Sequence, residues 1–151
     1  MIELAELRAG LDGRELPGGE LAVPAYESAL ADHALLAGPA AEDPDGAAHP
    51  LWLLILAMRG MGVTVDELCA LAGKCAEDTL LFGNCSLSQV RPVEVGGTYR
   101  VSATVGPVNR KTSRSGGVLD IVAVWVTIRS ADTGEPAGTV VNEFIFKRGA
   151  T

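Results

Sequence analysis

Hydrophobic positions change their spacing once along this chain, and the change divides it into a helical part and a sheet. Before residue 82 they recur at three- and four-residue intervals. Tyr26, Leu30 and Ala34, opened by Pro24 and closed by Gly38, predict a helix over 24–37. LWLLILAM (51–58) is apolar on every side until Arg59, with Pro50 before it and Gly60 after it. A helix hydrophobic all round belongs in an interior, so 51–59 is expected to be a central, buried helix. Thr64 with Glu67 three residues on has the spacing of a capping box, and Asp66 and Glu67 suit the positive end of a helix over 65–72 ended by Gly73. Turn chemistry dominates the first 25 residues, with glycines at 10, 13, 18 and 19 and prolines at 17 and 24. Residues 1–23 are therefore read as an arm, a short helix over 3–9 followed by a loop. GPAAEDPDGAAHP (38–50) is a second loop.

Beyond Phe82 the period becomes 2. Tyr99, Val101, Ala103 and Val105 alternate with Thr98, Arg100, Ser102 and Thr104, the pattern of a strand buried on one face. VLDIVAVWVTIR (118–129) is β-branched and apolar on nearly both faces, as a central strand requires. ADTGE (131–135) is a turn, and Thr139–Lys147 returns with Phe144 and Phe146 on one side, completing an antiparallel hairpin. GNCSLSQV (83–90) reads as a shorter strand. The expected organisation is one α+β domain, with a helical part over 24–82 and an antiparallel sheet over 83–148 wrapped around the helix at 51–59.

A length of 151 residues fits one core and excludes little else. The charge is more informative. Net charge is −7, with 4 Lys/Arg against 12 Asp/Glu in residues 1–75 and 8 against 7 in residues 76–151. Such a chain is not expected to bind nucleic acid, although a local basic patch suits one small anion. No apolar run approaches the ~20 residues of a membrane span, and the acidic start MIELAELRAG does not resemble a secretion signal, so no membrane association and a cytoplasmic location are expected. Cys69, Cys75 and Cys85 are odd in number and lack C-x-x-C spacing. They are expected to be reduced structural thiols, with neither a disulfide framework nor a metal site.

Four stretches carry a family resemblance: GRELP (13–17), AHPLW (48–52) at the mouth of the central helix, RPVEVGGTY (91–99), and SRSGGVLDIV with TGEPAG (113–138). In this order they resemble the hot-dog fold and, within it, the MaoC-like hydratase/dehydratase family. The resemblance implies a homodimer, or a heteromer with a similar hot-dog chain, whose sheets join edge to edge. It also implies acyl thioesters of coenzyme A or acyl carrier protein as substrates, with no bound cofactor of the protein's own. Enzymes of this group carry D-x-N-P-x-H, whose Asp and His hold the water that adds to, or leaves from, a 2-enoyl/3-hydroxyacyl thioester. The corresponding stretch here is AEDPDGAAHP: Asp43 lies six residues before His49 and Asp45 four, against the family's five, and the Asn is missing. AHP also fits a later A-H-G tract of the family that holds no catalytic histidine.

The resemblance makes His49 the candidate base and Asp43 or Asp45 the acid that orients it, with a loop-bracing histidine and ordinary Asp-Pro and Asp-Gly turns as the structural alternatives. Asn84 is either a substrate-facing amide or a turn residue at a strand end. Arg110, Lys111 and Arg114 in NRKTSRSGG are expected in a solvated hairpin loop, where they would bind the phosphates of coenzyme A or of a carrier protein's phosphopantetheine, or serve only as surface charge. A hot-dog thioesterase and a non-catalytic acyl-binding partner subunit are the alternative functions, because fold alone does not select a reaction.

Overall fold

The computed structural model describes residues 2–37 and 46–149. In chain order it contains α1 (Leu4–Leu11), β1 (Glu15–Ala22), α2 (Ala25–Ala34), α3 (Trp52–Gly60), α4 (Val65–Leu71), β2 (Thr79–Gln89), β3 (Thr98–Val105), β4 (Asn109–Thr112), β5 (Val118–Ser130) and β6 (Pro136–Lys147). The strands form one antiparallel sheet in the order β1-β3-β5-β6-β2. Short β4 continues the line of β3 and pairs with the first residues of β5.

α3 crosses this sheet and touches β1, β3, β5, β6 and β2. Its residues Trp52, Leu53, Leu56, Ala57 and Gly60 are buried against a sheet face built from Val101, Ala103, Val124, Val126, Val140 and Phe144, among others. The sequence therefore reads correctly at its most hydrophobic point. The capping box also forms: Thr64 Oγ1 accepts the Glu67 N–H at 3.1 Å, and the Glu67 carboxylate accepts the Thr64 N–H at 2.7 Å. No helix among the described residues is long and apolar enough to cross a membrane.

Besides β4, which forms where a loop is expected, three elements differ from the sequence reading. Residues 15–22 are an edge strand rather than a loop. Gly18 is the reason: at φ +68° it sits in the bulge between Leu16 and Gly19, where a Cβ would collide with the Val101 carbonyl, so ELPGGELA pairs with β3 despite its turn residues. β2 begins at Thr79, four residues before the strand expected over 83–90. In α2 the apolar spacing is real but faces outward: Tyr26 and Leu30 are 67% and 63% exposed, while Ser28 and Asp32 are buried.

β2 is the second edge, and its inner face is only half covered. Directly paired residues share a face, so Phe82 opposite Phe144, Cys85 opposite Asn142 and Leu87 opposite Val140 all point to the side that carries α3. Yet Phe82 and Leu87 remain 50% and 45% exposed. Leu54, Ile55 and Met58, at i, i+1 and i+4 on the neighbouring flank of α3, are half-buried. An apolar strip thus runs between α3 and an unpaired strand edge.

Candidate functional site

His49 enters α3 from a loop held to the β2–β3 connection by the Ala48 N–H to Val93 carbonyl bond of 2.6 Å and by a bridge between Ala47 and Glu94. The ring is half-buried, and its Nδ1 accepts the Leu51 N–H at 3.1 Å. That bond fixes the ring chemistry. In a neutral imidazole whose Nδ1 lone pair is used, the hydrogen sits on Nε2, which is then a donor. The backbone at this helix mouth is also spent: Pro50 has no N–H, the Trp52 N–H goes to the His49 carbonyl at 2.9 Å, and the Leu53 N–H goes to the Pro50 carbonyl at 3.1 Å. Asp43 and Asp45 lie outside the described residues.

Asn84 follows the bulge at Gly83 and pairs with Glu143, so it shares the face turned away from α3 and is exposed. It does not point an amide toward the helix. The one-residue insertion at Gly83 turns Asn84 outward and returns Cys85 to the inner row.

The expected basic loop is partly a strand, and one of its cations is largely covered and paired within the protein. Arg110 lies in β4 directly opposite Asp120. Its Nε donates to Asp120 Oδ1 at 2.6 Å, and its Nη2 donates to Asp120 Oδ2 at 2.9 Å and to the Ile2 carbonyl at 3.0 Å. Arg148 approaches the same carboxylate from β6's end, with Nε at 2.7 Å from Asp120 Oδ2 and Nη1 at 2.8 Å from Asp78 Oδ2. Arg110 is therefore a member of a buried ion cluster, a correction to its expected role at a phosphate. Lys111 and Arg114 are exposed.

Neither cation lies near His49 within one subunit. α3 begins against Gly138, which pairs with Ile128, whereas Lys111 pairs with Leu119. Nine residues of strand separate those two points of β5, roughly 30 Å at about 3.3 Å per residue.

A cleft of about 320 Å³ opens near the start of α3, bordered by Ala47, Pro92, Glu94, Tyr99 and the β5–β6 turn. The Tyr99 hydroxyl accepts the Glu94 N–H there at 2.8 Å, and Arg91 pairs with Glu135 across it. No disulfide joins Cys69, Cys75 and Cys85, and burial pushes the thiols of Cys69 and Cys85 above their ordinary range. A residue absent from the sequence reading is Asn142. It is fully buried on the inner face of β6, and its Oδ1 has no hydrogen-bond partner among the described residues. The alternation itself carried the signal, because Asn142 occupies the same row as Val140, Phe144 and Phe146.

No family model matches the chain, and no curated protein matches it. Solved structures do. Over 98% of this chain and 90% of that one, it is similar to a chain of the ChsH1-ChsH2 complex from Mycobacterium tuberculosis, at 16% identity and a TM-score of 0.67. It is similar to a MaoC-like dehydratase from Rhodospirillum rubrum at 17% identity and TM-score 0.61, over 93% of this chain and 94% of that one. A hot-dog-like protein from Thermanaerovibrio acidaminovorans aligns over 96% of this chain and 87% of its own, at 10% identity and TM-score 0.62. With an antiparallel sheet wrapped around one apolar helix, and with agreement of this extent along the whole chain, the protein has the hot-dog fold.

Proposed function

We propose that this chain is a MaoC-like hot-dog subunit that adds water to 2-enoyl thioesters or removes it from 3-hydroxyacyl thioesters, in the cytoplasm, together with a second hot-dog chain seated on β2. The observation that carries the reading is the apolar strip between α3 and the unpaired β2 edge. Phe82 and Leu87 face the helix side of the sheet yet stay half exposed, as one half of a shared acyl groove would leave them. The similar structures support it, since one is a complex of two chains and another is a MaoC-like dehydratase.

Two assignments of the acid–base work follow from His49. In the first, the ring exchanges its bond with Leu51 for one with Asp43 or Asp45, which places the hydrogen on Nδ1 and frees the Nε2 lone pair to take a proton from water. In the second, the bond to Leu51 persists, Nε2–H donates only to the thioester oxygen, and the second chain supplies the base. The Leu51 N–H to Nδ1 bond favours the second assignment.

Sedimentation of the purified chain at micromolar concentration should show a dimer, and the same preparation should be assayed on crotonyl and longer enoyl thioesters of coenzyme A and of acyl carrier protein. Hydration only after a different hot-dog chain is added supports the second assignment, and with hydration by the chain alone the pH profile of a His49→Ala variant decides between the two. Release of free thiol instead would make it a thioesterase. A stable monomer with no turnover and no thioester binding in either form would overturn the reading.

Antiparallel pairing of β2 with a second β2 reverses one sheet relative to the other, and so brings the basic loop of one copy to the end of the sheet that carries His49 of the other. Replacing Lys111 and Arg114 together by Ala should therefore weaken coenzyme A thioester binding by about 3–10-fold at low salt, with the difference fading toward molar salt and the melting temperature unchanged. Equal affinities at low salt, measured by calorimetry, would assign both charges to solubility.

A further inference from the structure

The inner row of β6 reads Val140, Asn142, Phe144, Phe146, and one amide interrupts it. Asn142 has no exposed surface. Its Nδ2 donates to the Met58 thioether sulfur at 3.4 Å, a weak acceptor, and its Oδ1 has no partner among the described residues. Its paired neighbours, Cys85 on β2 and Val124 on β5, offer at most a weak S–H donor. A buried amide whose Nδ2 meets only a weak acceptor and whose Oδ1 meets none of the described residues is costly where a Val or Leu would pack, so stability does not account for it.

Position does account for it. Asn142 lies beneath Met58, the last of the half-buried residues Leu54, Ile55 and Met58 that line the acyl strip. Met58 also borders an open cleft of about 290 Å³ between the end of α3 and the start of α4. A thioether side chain with three rotatable bonds makes a soft cover, and its rotation opens the Asn142 amide, whose Nδ2 it holds, to whatever lies along the strip. What the carbonyl lacks is a donor, which an alkyl or enoyl chain does not have and a hydroxylated chain does.

We propose that Asn142 is a specificity contact for a hydroxyl group carried on the acyl chain, remote from the thioester, with Met58 as its movable cover. This rests on the acyl-thioester reading above. The distance sets which hydroxyl: from Trp52 at the thioester end to Met58 is six residues of helix, roughly 9 Å at about 1.5 Å per residue, near the reach of an extended octanoyl chain.

The probes are octanoyl-CoA and 8-hydroxyoctanoyl-CoA, titrated calorimetrically into the protein in its native oligomer. The wild-type chain should bind the hydroxylated thioester at least about tenfold more tightly, because only that ligand pairs the buried carbonyl. Asn142→Leu should abolish the preference while melting no lower than the wild type. Asn142→Val serves the same purpose should the larger side chain fail to fold. Equal binding of both thioesters by the wild type, or a preference retained in the variants, overturns the role of Asn142 and leaves the acyl-thioester reading standing. Binding of neither thioester overturns both.

Discussion

Asp120→Asn is expected to cost about 3–5 kcal/mol of folding stability. Asp120 is wholly buried, and its two oxygens take three hydrogen bonds from the guanidinium groups of Arg110 and Arg148. Arg148 is itself buried and holds the chain's far parts together through the Ala72 carbonyl at 2.9 Å and Asp78 at 2.8 Å. An Asn of the same shape removes the charge and turns an NH2 toward a guanidinium, leaving two cations against one remaining carboxylate. Urea unfolding of wild type and variant measures the difference, and a loss below about 1 kcal/mol would mean the cluster relaxes toward water.

The same cluster sets an acid limit. Burial pushes both carboxyls up, but for Asp120 the bonds from Arg110 and Arg148 outweigh it and hold the group below its ordinary 3.8. For Asp78 the Cys75 and Gly149 amides and Arg148 do the same and bring it to about 2. Because the folded values lie below the unfolded ones, this stabilisation is complete above the unfolded value of 3.8 and is lost as pH falls from there through about 2. Asp120→Asn should flatten that acid limb as well as lower the plateau.

His49→Ala has the second large effect, and two measurements on the one variant give its meaning. With Nε2–H as a donor to the thioester oxygen, turnover of the assembled enzyme should fall about 10²–10³-fold, while the pH profile of kcat/KM keeps its shape. A base role predicts a fall of about 10²–10⁴-fold together with loss of one limb of that profile, and equal damage from Asp43→Asn or Asp45→Asn. If turnover instead follows only the folded fraction, with about 1–3 kcal/mol of stability lost through the unpaired Leu51 N–H, His49 merely braces the loop.

What the sequence revealed and what it hid divide along a physical line. α3, α4 with its capping box, and the β5–β6 hairpin are written in local periodicity and end chemistry, which neighbours in sequence enforce. β1 was hidden because its Pro17, Gly18 and Gly19 are the residues of a turn, and only the close approach of Val101, some eighty positions away, makes Gly18 the residue of a bulged strand. Arg110, a basic residue near glycines, looks solvated in sequence, and only the register of β4 and β5 sets it against Asp120. The outward turn of Tyr26 and Leu30 in α2 had no sequence signature either, since a helical stripe does not say which side is the interior. Asn142 is legible in the sequence as one polar letter in a row of alternating apolar ones.

The unguarded edge has a consequence for how the cell must make this protein. β2, TLLFGNCSLSQ, spans 11 residues without a charge or a proline, the usual devices that keep a bare strand from recruiting strangers. A newly made chain that finds no companion carries a template for polymerisation and a target for degradation. Where the companion is a second copy, pairing competes with polymerisation at every dose: slow expression should leave the chain in the clarified extract, and rapid over-expression should move it into inclusion bodies.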